Sequence, residues 1–276
     1  MALTSLLAAL RLRHSNTAML TVAASLAGRF GAYVEGMVIH QPPPLTSAPF
    51  YLSSELLAEE RKRIEADILA AEGEFRAAMQ GQAAGVDWFA TVTEETIAAT
   101  LARHARATDL LVTTSEEPRS AAESPSPLQL GDLIAQAGRP ILVVPPQGAK
   151  IPLDHVLIAW KDGAPARRAI ADSLGLLHKA RRVSLVEIVP EAEADMARVR
   201  LALVAGWLAR HKIRAEPRVL TTLGEDAARL HLLAREEKVD LVVAGGYAHH
   251  QLREWIFGGV TQTLLAQDER CVLFSH

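Results

Sequence analysis

The feature that most constrains this chain is an internal repeat. Leu101-Ala102-Arg103 leads into Thr108-Asp109-Leu110-Leu111-Val112, and Leu233-Ala234-Arg235 leads into Val239-Asp240-Leu241-Val242-Val243. Asp109 and Asp240 stand 131 positions apart, and the same offset pairs Leu133-Ile134-Ala135-Gln136 with Leu264-Leu265-Ala266-Gln267. It also pairs Arg139, ahead of Ile141-Leu142-Val143-Val144, with Arg270, ahead of Val272-Leu273-Phe274. A fixed offset across separated segments is the mark of duplication. Upstream the offset reads as 150, matching Leu6–Leu12 with Val156–Asp162 and Ala32–Val38 with Arg182–Ile188. The first copy therefore carries an insertion of about 19 residues, and the proline-rich stretch from Gln41 to Ser54 is its natural place.

Duplication decides what the length leaves open. A chain of 276 residues is one large domain or two small ones, and the repeat selects two. Pro145-Pro146-Gln147-Gly148 reads as the linker, giving expected domains at 1–148 and 149–276. Within each copy, short apolar runs alternate with segments of helical period. In the second copy, His155–Trp160, Val183–Val189, Arg214–Leu220, Leu241–Ala244 and Cys271–Ser275 read as strands. Helices are expected through Ile170, Leu174 and Leu177, through Val199, Leu203 and Trp207, through Ala227, Leu230 and Ala234, and over Thr261–Gln267. The first copy follows the same order, with a long helix carrying Leu57, Ile64, Ile68 and Phe75 on one face. Apolar strands alternating with helices predict an α/β chain of two tandem, doubly wound, five-stranded parallel sheets.

Composition narrows the function classes. Apolar residues make up 49% and charged residues 22%, which is a globular balance. The net charge of -3 offers no general field for nucleic acid or an anionic membrane, so any basic site is local. No apolar stretch approaches the roughly 20 residues of a membrane helix. The single cysteine, Cys271, forms no internal disulfide and falls on an expected core strand; with no leader-like start, a cytoplasmic protein is the expectation.

The chemistry concentrates after the fourth strand of the second copy. Gly245-Gly246-Tyr247-Ala248 opens that loop and Gly258-Gly259-Val260-Thr261 closes it. Glycines let backbone approach a ligand, and free N–H groups at a helix start favour phosphate. Structural readings stand beside these: the glycines also suit tight strand-to-helix packing, Lys161 also suits a solvated strand end, and Arg253 also suits pairing with Glu254. His249-His250 lacks a carboxylate or thiol at ligand spacing, so no metal site is expected. No G-x-S-x-G turn presents a serine nucleophile, and no catalytic residue is assigned.

With these motifs in place, the sequence resembles the universal stress protein family in its tandem form, over nearly the whole chain. Nucleotide-binding members carry a glycine, two residues, a glycine, nine residues, a glycine and then serine or threonine. Gly245 and Gly258 match at that spacing, whereas Ala248 replaces the second glycine and Gly259 the hydroxyl residue, with Thr261 two positions on. The family's adenine-facing aspartate at the end of the first strand corresponds to Lys161, and its apolar adenine contact to Ile188. The resemblance implies an adenine nucleotide α-hydrolase-like fold and a non-enzymatic stress-response protein. It further implies ATP, ADP or AMP at Gly245, Gly258, Gly259, Thr261, Lys161 and Ile188, with no metal beyond magnesium accompanying the nucleotide. In the first copy the motif positions hold Thr114, Glu117, Pro127 and Leu128, and Glu116 and Glu117 would repel phosphate, so no nucleotide site is expected there. The family pairs domains through their final strands, which implies an intramolecular pseudo-dimer of Ile141–Val144 with Val272–Phe274, with further dimerisation open. Two alternatives remain: a weak ATPase using Lys161, His249 or His250, and a protein-interaction module presenting the Gln41–Ser54 insertion.

Overall fold

A computed structural model describes residues 3–42, 54–114, 128–148, 150–222, 224, 226–246 and 270–276. Gly258, Gly259, Thr261, the paired histidines, the segment expected to form the Thr261–Gln267 helix and most of the proline-rich insertion lie outside the described residues.

The first half runs β1 (Ser5–Leu10), α1 (Thr17–Phe30), β2 (Tyr33–His40), α2 (Ser54–Met79), β3 (Gly85–Val92), α3 (Ile97–His104), β4 (Leu110–Thr114), α4 (Leu130–Gln136) and β5 (Ile141–Val144). The second half follows with β6 (His155–Trp160), α5 (Ala164–Leu177), β7 (Arg182–Val189), α6 (Ala194–Arg210), β8 (Ala215–Thr221), α7 (Asp226–Glu236), β9 (Leu241–Gly245) and β10 (Cys271–Ser275). Local chemistry explains the boundaries. Gly31 ends α1 in the left-handed region at φ 63°, its N–H donating to the Ala27 carbonyl. Thr96 caps α3 by accepting from the Ala99 N–H at 3.2 Å, and Pro165 opens α5 where a missing N–H costs nothing.

Among the described residues all ten strands join one sheet in the order β3-β2-β1-β4-β5-β10-β9-β6-β7-β8. Each half is parallel, and the halves meet through antiparallel pairing of β5 with β10 in the register Ile141 to Phe274, Leu142 to Leu273 and Val143 to Val272. The expected pairing of final strands is therefore present. Interior strands β4, β5 and β10 are buried throughout, while the edge strands β3 and β8 alternate between partial burial and exposure. Pro217 sits on edge strand β8, where a strand loses least for want of an N–H. Two apolar clusters cover the two faces of the sheet, and each draws residues from both halves. In β2, Gly36 lets the Phe75 ring of α2 lie against the strand; a Cβ there would stand 2.8 Å from the ring.

Two expectations shift in phase. The periodicity that marks α6 through Val199 and Leu203 is real, but those residues are 57% and 71% exposed. The buried face instead carries Ala197, Leu201 and Leu208. Leu57 is likewise exposed, because the first turns of α2 are exposed on every side while Phe75, near its other end, is fully buried. The repeat offset also changes along the chain. Ser5 pairs with Tyr33 and His155 with Arg182, so the first strands match at 150 but the second strands at 149.

Candidate functional site

In each half the sheet order reverses at the first strand: β1 lies between β2 and β4, and β6 between β7 and β9. A crevice opens beyond the carboxyl ends of strands at such a point. The ladder registers make the two crevices comparable. Lys161 corresponds to Arg11 at the end of the first strand, and Ile188 corresponds to Ile39. The two second-half residues singled out by sequence thus have first-half counterparts, and both counterparts line a cavity of about 210 Å³.

The walls of that cavity are apolar. Leu10 ends β1, Met37 and Ile39 come from β2, Ile97 and Leu101 from α3, and Leu128 precedes α4. The polar groups of its lining are Arg11, Arg13, His14, His40 and Gln41. One buried carboxamide organises the connection that carries three of them. Asn16, 3% exposed, accepts from the Arg11 N–H at 2.8 Å and donates to the Arg11 carbonyl at 3.1 Å and the His14 carbonyl at 3.3 Å. The turn is tight enough to hold Arg13 in the left-handed region at φ 60°. Arg13 then reaches α2, pairing with Asp67 at 2.7 Å and Glu60 at 2.9 Å, and these carboxylates hold its guanidinium above the usual range. His14 Nδ1 lies 2.8 Å from the Leu12 carbonyl and Nε2 lies 3.4 Å from Arg11 Nη2. The tautomer that donates from Nδ1 satisfies both contacts. Burial lowers the His40 pKa, and the Arg13 charge lowers it further.

The second crevice is described in part. Lys161 follows β6 directly, with Asp162 beside it paired to Arg167 at 2.8 Å. Ile188 is partly buried against the apolar cluster on its face. Gly245 has a packing reason for being glycine: a Cβ there would meet the Ala166 nitrogen at 2.6 Å and the Pro165 carbonyl carbon at 2.8 Å. The end of β9 thus presses against the first turn of α5, and the structure brings Gly245 next to that turn. Gly246 is equally constrained, from the other half, by Ile134 Cγ2 at 2.4 Å.

Sequence reasoning passed over several groups here. Glu187, in register with Trp160, is 4% exposed and receives Arg200 Nη2 at 2.8 Å and Nε at 3.2 Å. Its second oxygen and the Trp160 indole nitrogen are buried without a hydrogen bond from the described residues. At the opposite end of the strands, Ser184 Oγ lies 2.8 Å from His155 Nε2, and His155 Nδ1 lies 3.1 Å from the Glu237 carbonyl. The trio has the composition of a hydrolytic triad but not its access: Ser184 is fully buried. Arg11 and Ile39 were the findable omission, since the repeat itself aligns Arg11 with Lys161. Among the described residues no three His, Cys, Asp or Glu side chains converge as a metal site, and no helix is long and apolar enough to cross a membrane.

No protein-family model and no curated protein matches this chain. Solved structures do. A universal stress protein from Archaeoglobus fulgidus DSM 4304 superposes with a TM-score of 0.71 at 10% identity, covering 97% of this chain and 97% of that one. A protein from Pseudomonas aeruginosa UCBPP-PA14, provisionally assigned as a universal stress protein, gives 0.63 at 15% identity over 99% of this chain and 92% of its own. A functionally unknown protein from Pseudomonas aeruginosa PAO1 gives 0.61 at 15% identity over the same shares. The chain has the fold of these proteins along nearly its whole length.

Proposed function

We propose that this chain is a tandem universal stress protein that acts by binding, without turnover, and that its second half holds an adenine nucleotide. The observation that supports this reading most is positional. Lys161 and Ile188 stand at the strand ends where Arg11 and Ile39 of the first half line a cavity. In this reading Ile188 offers an apolar contact to the base and Lys161 a charge to the phosphates. In the same reading Gly258, Gly259 and Thr261, 13 to 16 positions after Gly245 in the sequence, supply N–H and hydroxyl groups to the phosphates.

Calorimetry on full-length protein stripped of nucleotide tests this. ATP, ADP or AMP is expected to bind at one site per chain. Gly258→Asp or Lys161→Ala is expected to weaken binding by about tenfold or more, the scale of one lost charge-assisted contact. Absence of heat with all three nucleotides at millimolar concentration would remove the nucleotide from the proposal. Phosphate release that exceeds the Lys161→Ala control would replace binding with the weak ATPase reading.

A further inference from the structure

The outward face of α6 is apolar where a solvated helix is ordinarily charged. Met196, Val199 and Leu203 are each more than half exposed, and with the partly buried Trp207 they recur at i, i+3, i+7 and i+11, which is one stripe along the helix. Gly206 lies on the same face. A Cβ there would meet nothing within 4 Å, so no packing inside this chain calls for glycine, and glycine is a poor residue for a helix interior. An exposed apolar stripe with a glycine set into it suits close approach by another helix.

The charges along α6 indicate which helix that is. Asp195 stands at its start, paired within the first turn to Arg198, and Arg210 stands at its end; both are exposed, and Arg210 makes no ion pair among the described residues. Consider α6 laid antiparallel on a second copy of itself, with the twofold axis between Ala202 and Leu203. Asp195 then falls opposite Arg210 of the partner subunit, Val199 opposite Gly206 of the partner subunit, and Leu203 opposite Ala202 of the partner subunit. Opposite charges meet, and each large side chain meets a small one. The arrangement also sets the positive end of each helix beside the negative end of the other. A crossing of about 20° keeps the roughly 25 Å length of this 17-residue helix in contact. In the first half α2 exposes Leu69, but Glu65 and Glu72 stand a turn to either side, so self-pairing there would set acid against acid.

We infer that two copies of this chain dimerise through α6, packed antiparallel along Met196, Val199, Leu203 and Gly206, with Asp195 of each paired to Arg210 of the partner subunit. The inference does not rest on the nucleotide reading.

Sedimentation velocity of the full chain tests it over about 1–200 µM, because one helix pair is a small interface and a weak dimer is expected. The wild type is expected to pass from the mass of one chain to that of two across this range. Leu203→Glu and Gly206→Leu are each expected to weaken dimerisation by at least about tenfold, since each enters the symmetric interface twice. Asp195→Arg and Arg210→Asp are each expected to weaken it by about tenfold, and the two together to restore it. All four positions are exposed in the single chain, so these variants are expected to fold, with the thermal midpoint as the check. Gly258→Asp is expected to leave the dimer unchanged, which separates this test from that of the nucleotide. A single-chain mass over the whole range, a dimer indifferent to Leu203→Glu, or charge reversals that the double variant fails to rescue would each overturn the inference.

Discussion

Asp109 and Asp240 do the same work in the two halves but in different surroundings. Asp109 Oδ2 accepts from the Thr4 N–H and hydroxyl, both at 2.7 Å, and from the Ser5 N–H at 3.0 Å. Asp240 Oδ2 accepts from the Asp154 N–H at 2.8 Å and the His155 N–H at 3.4 Å. Each aspartate at the head of a fourth strand ties down the start of the neighbouring first strand, which explains why the repeat is so legible there. Thr4 and Asp154 make the difference. Burial acts to raise the Asp109 pKa, but the Thr4 hydroxyl and the two N–H groups outweigh it and leave it lowered. At Asp240 burial wins and the Asp154 carboxylate adds to it, so the pKa is raised. The signs for stability are opposite. The Asp109 contribution is present above the unfolded aspartate value of about 3.9 and is lost as pH falls through its lower native value. Asp240 favours the fold below the unfolded value and loses that contribution as pH rises through its higher native one. At neutral pH Asp109→Asn is therefore expected to cost about 1 kcal/mol, after allowance for partial exposure, while Asp240→Asn costs little or stabilises. Urea denaturation at pH 7 and pH 3 checks both, with the Asp109→Asn deficit shrinking at the lower pH. Equal deficits at pH 7 would contradict the account.

Between elements, the contacts that matter are those across the β5–β10 seam. Gly246 follows β9, donates its N–H to the Ser275 carbonyl at 2.7 Å, and lies against Ile134 of α4 in the opposite half. With 2.4 Å from a built Cβ to Ile134 Cγ2, Gly246→Ala forces one side to move. It is expected to cost about 1–3 kcal/mol, the usual range for overpacking. Ile134→Ala makes room, so the cost of Gly246→Ala is expected to fall in that background. A double-mutant cycle by thermal or urea denaturation measures the coupling, and additive costs would show that the contact is not the cause. The sequence carries this seam only as a pattern of apolar runs. Periodicity reports that α6 is a helix, but the alternation of Ala197 and Leu201 with Val199 and Leu203 does not say which set faces the sheet. That choice is made by α6 packing on β7 and β8. The site was legible to a similar depth. Glycine spacing points to the second half, whereas the Arg11 cavity has no glycine signature and depends on Asn16 folding the turn back on itself.

At the scale of the whole molecule the two copies form one continuous body. The repeat is plain in the sequence, and the resemblance implies strand pairing; a core shared between the halves is a property of packing that no single segment encodes. Both apolar clusters cross the seam, β5 and β10 are buried along their full length, and Arg29 of the first half donates to the carbonyl of Pro152, which lies just before β6, at 2.7 Å. Separating the halves would expose two apolar edge strands to water, a state that folded proteins avoid. Unfolding one half alone therefore leaves the other with an unpaired edge and an opened core. The full chain is expected to unfold in a single calorimetric transition, with the van't Hoff and calorimetric enthalpies equal. Leu273 faces Leu142 in register, and both are fully buried, so Leu273→Asp places a charge in the middle of the seam. That variant is expected either to split the transition in two or to lower its midpoint by many degrees, since a buried unpaired charge costs several kcal/mol and about 1 kcal/mol moves the midpoint of a chain this size by roughly 2–4 °C. Two resolved transitions in the wild-type chain would show that the sheet is continuous in geometry but divided in energy, and the halves would then be independent domains joined at an edge.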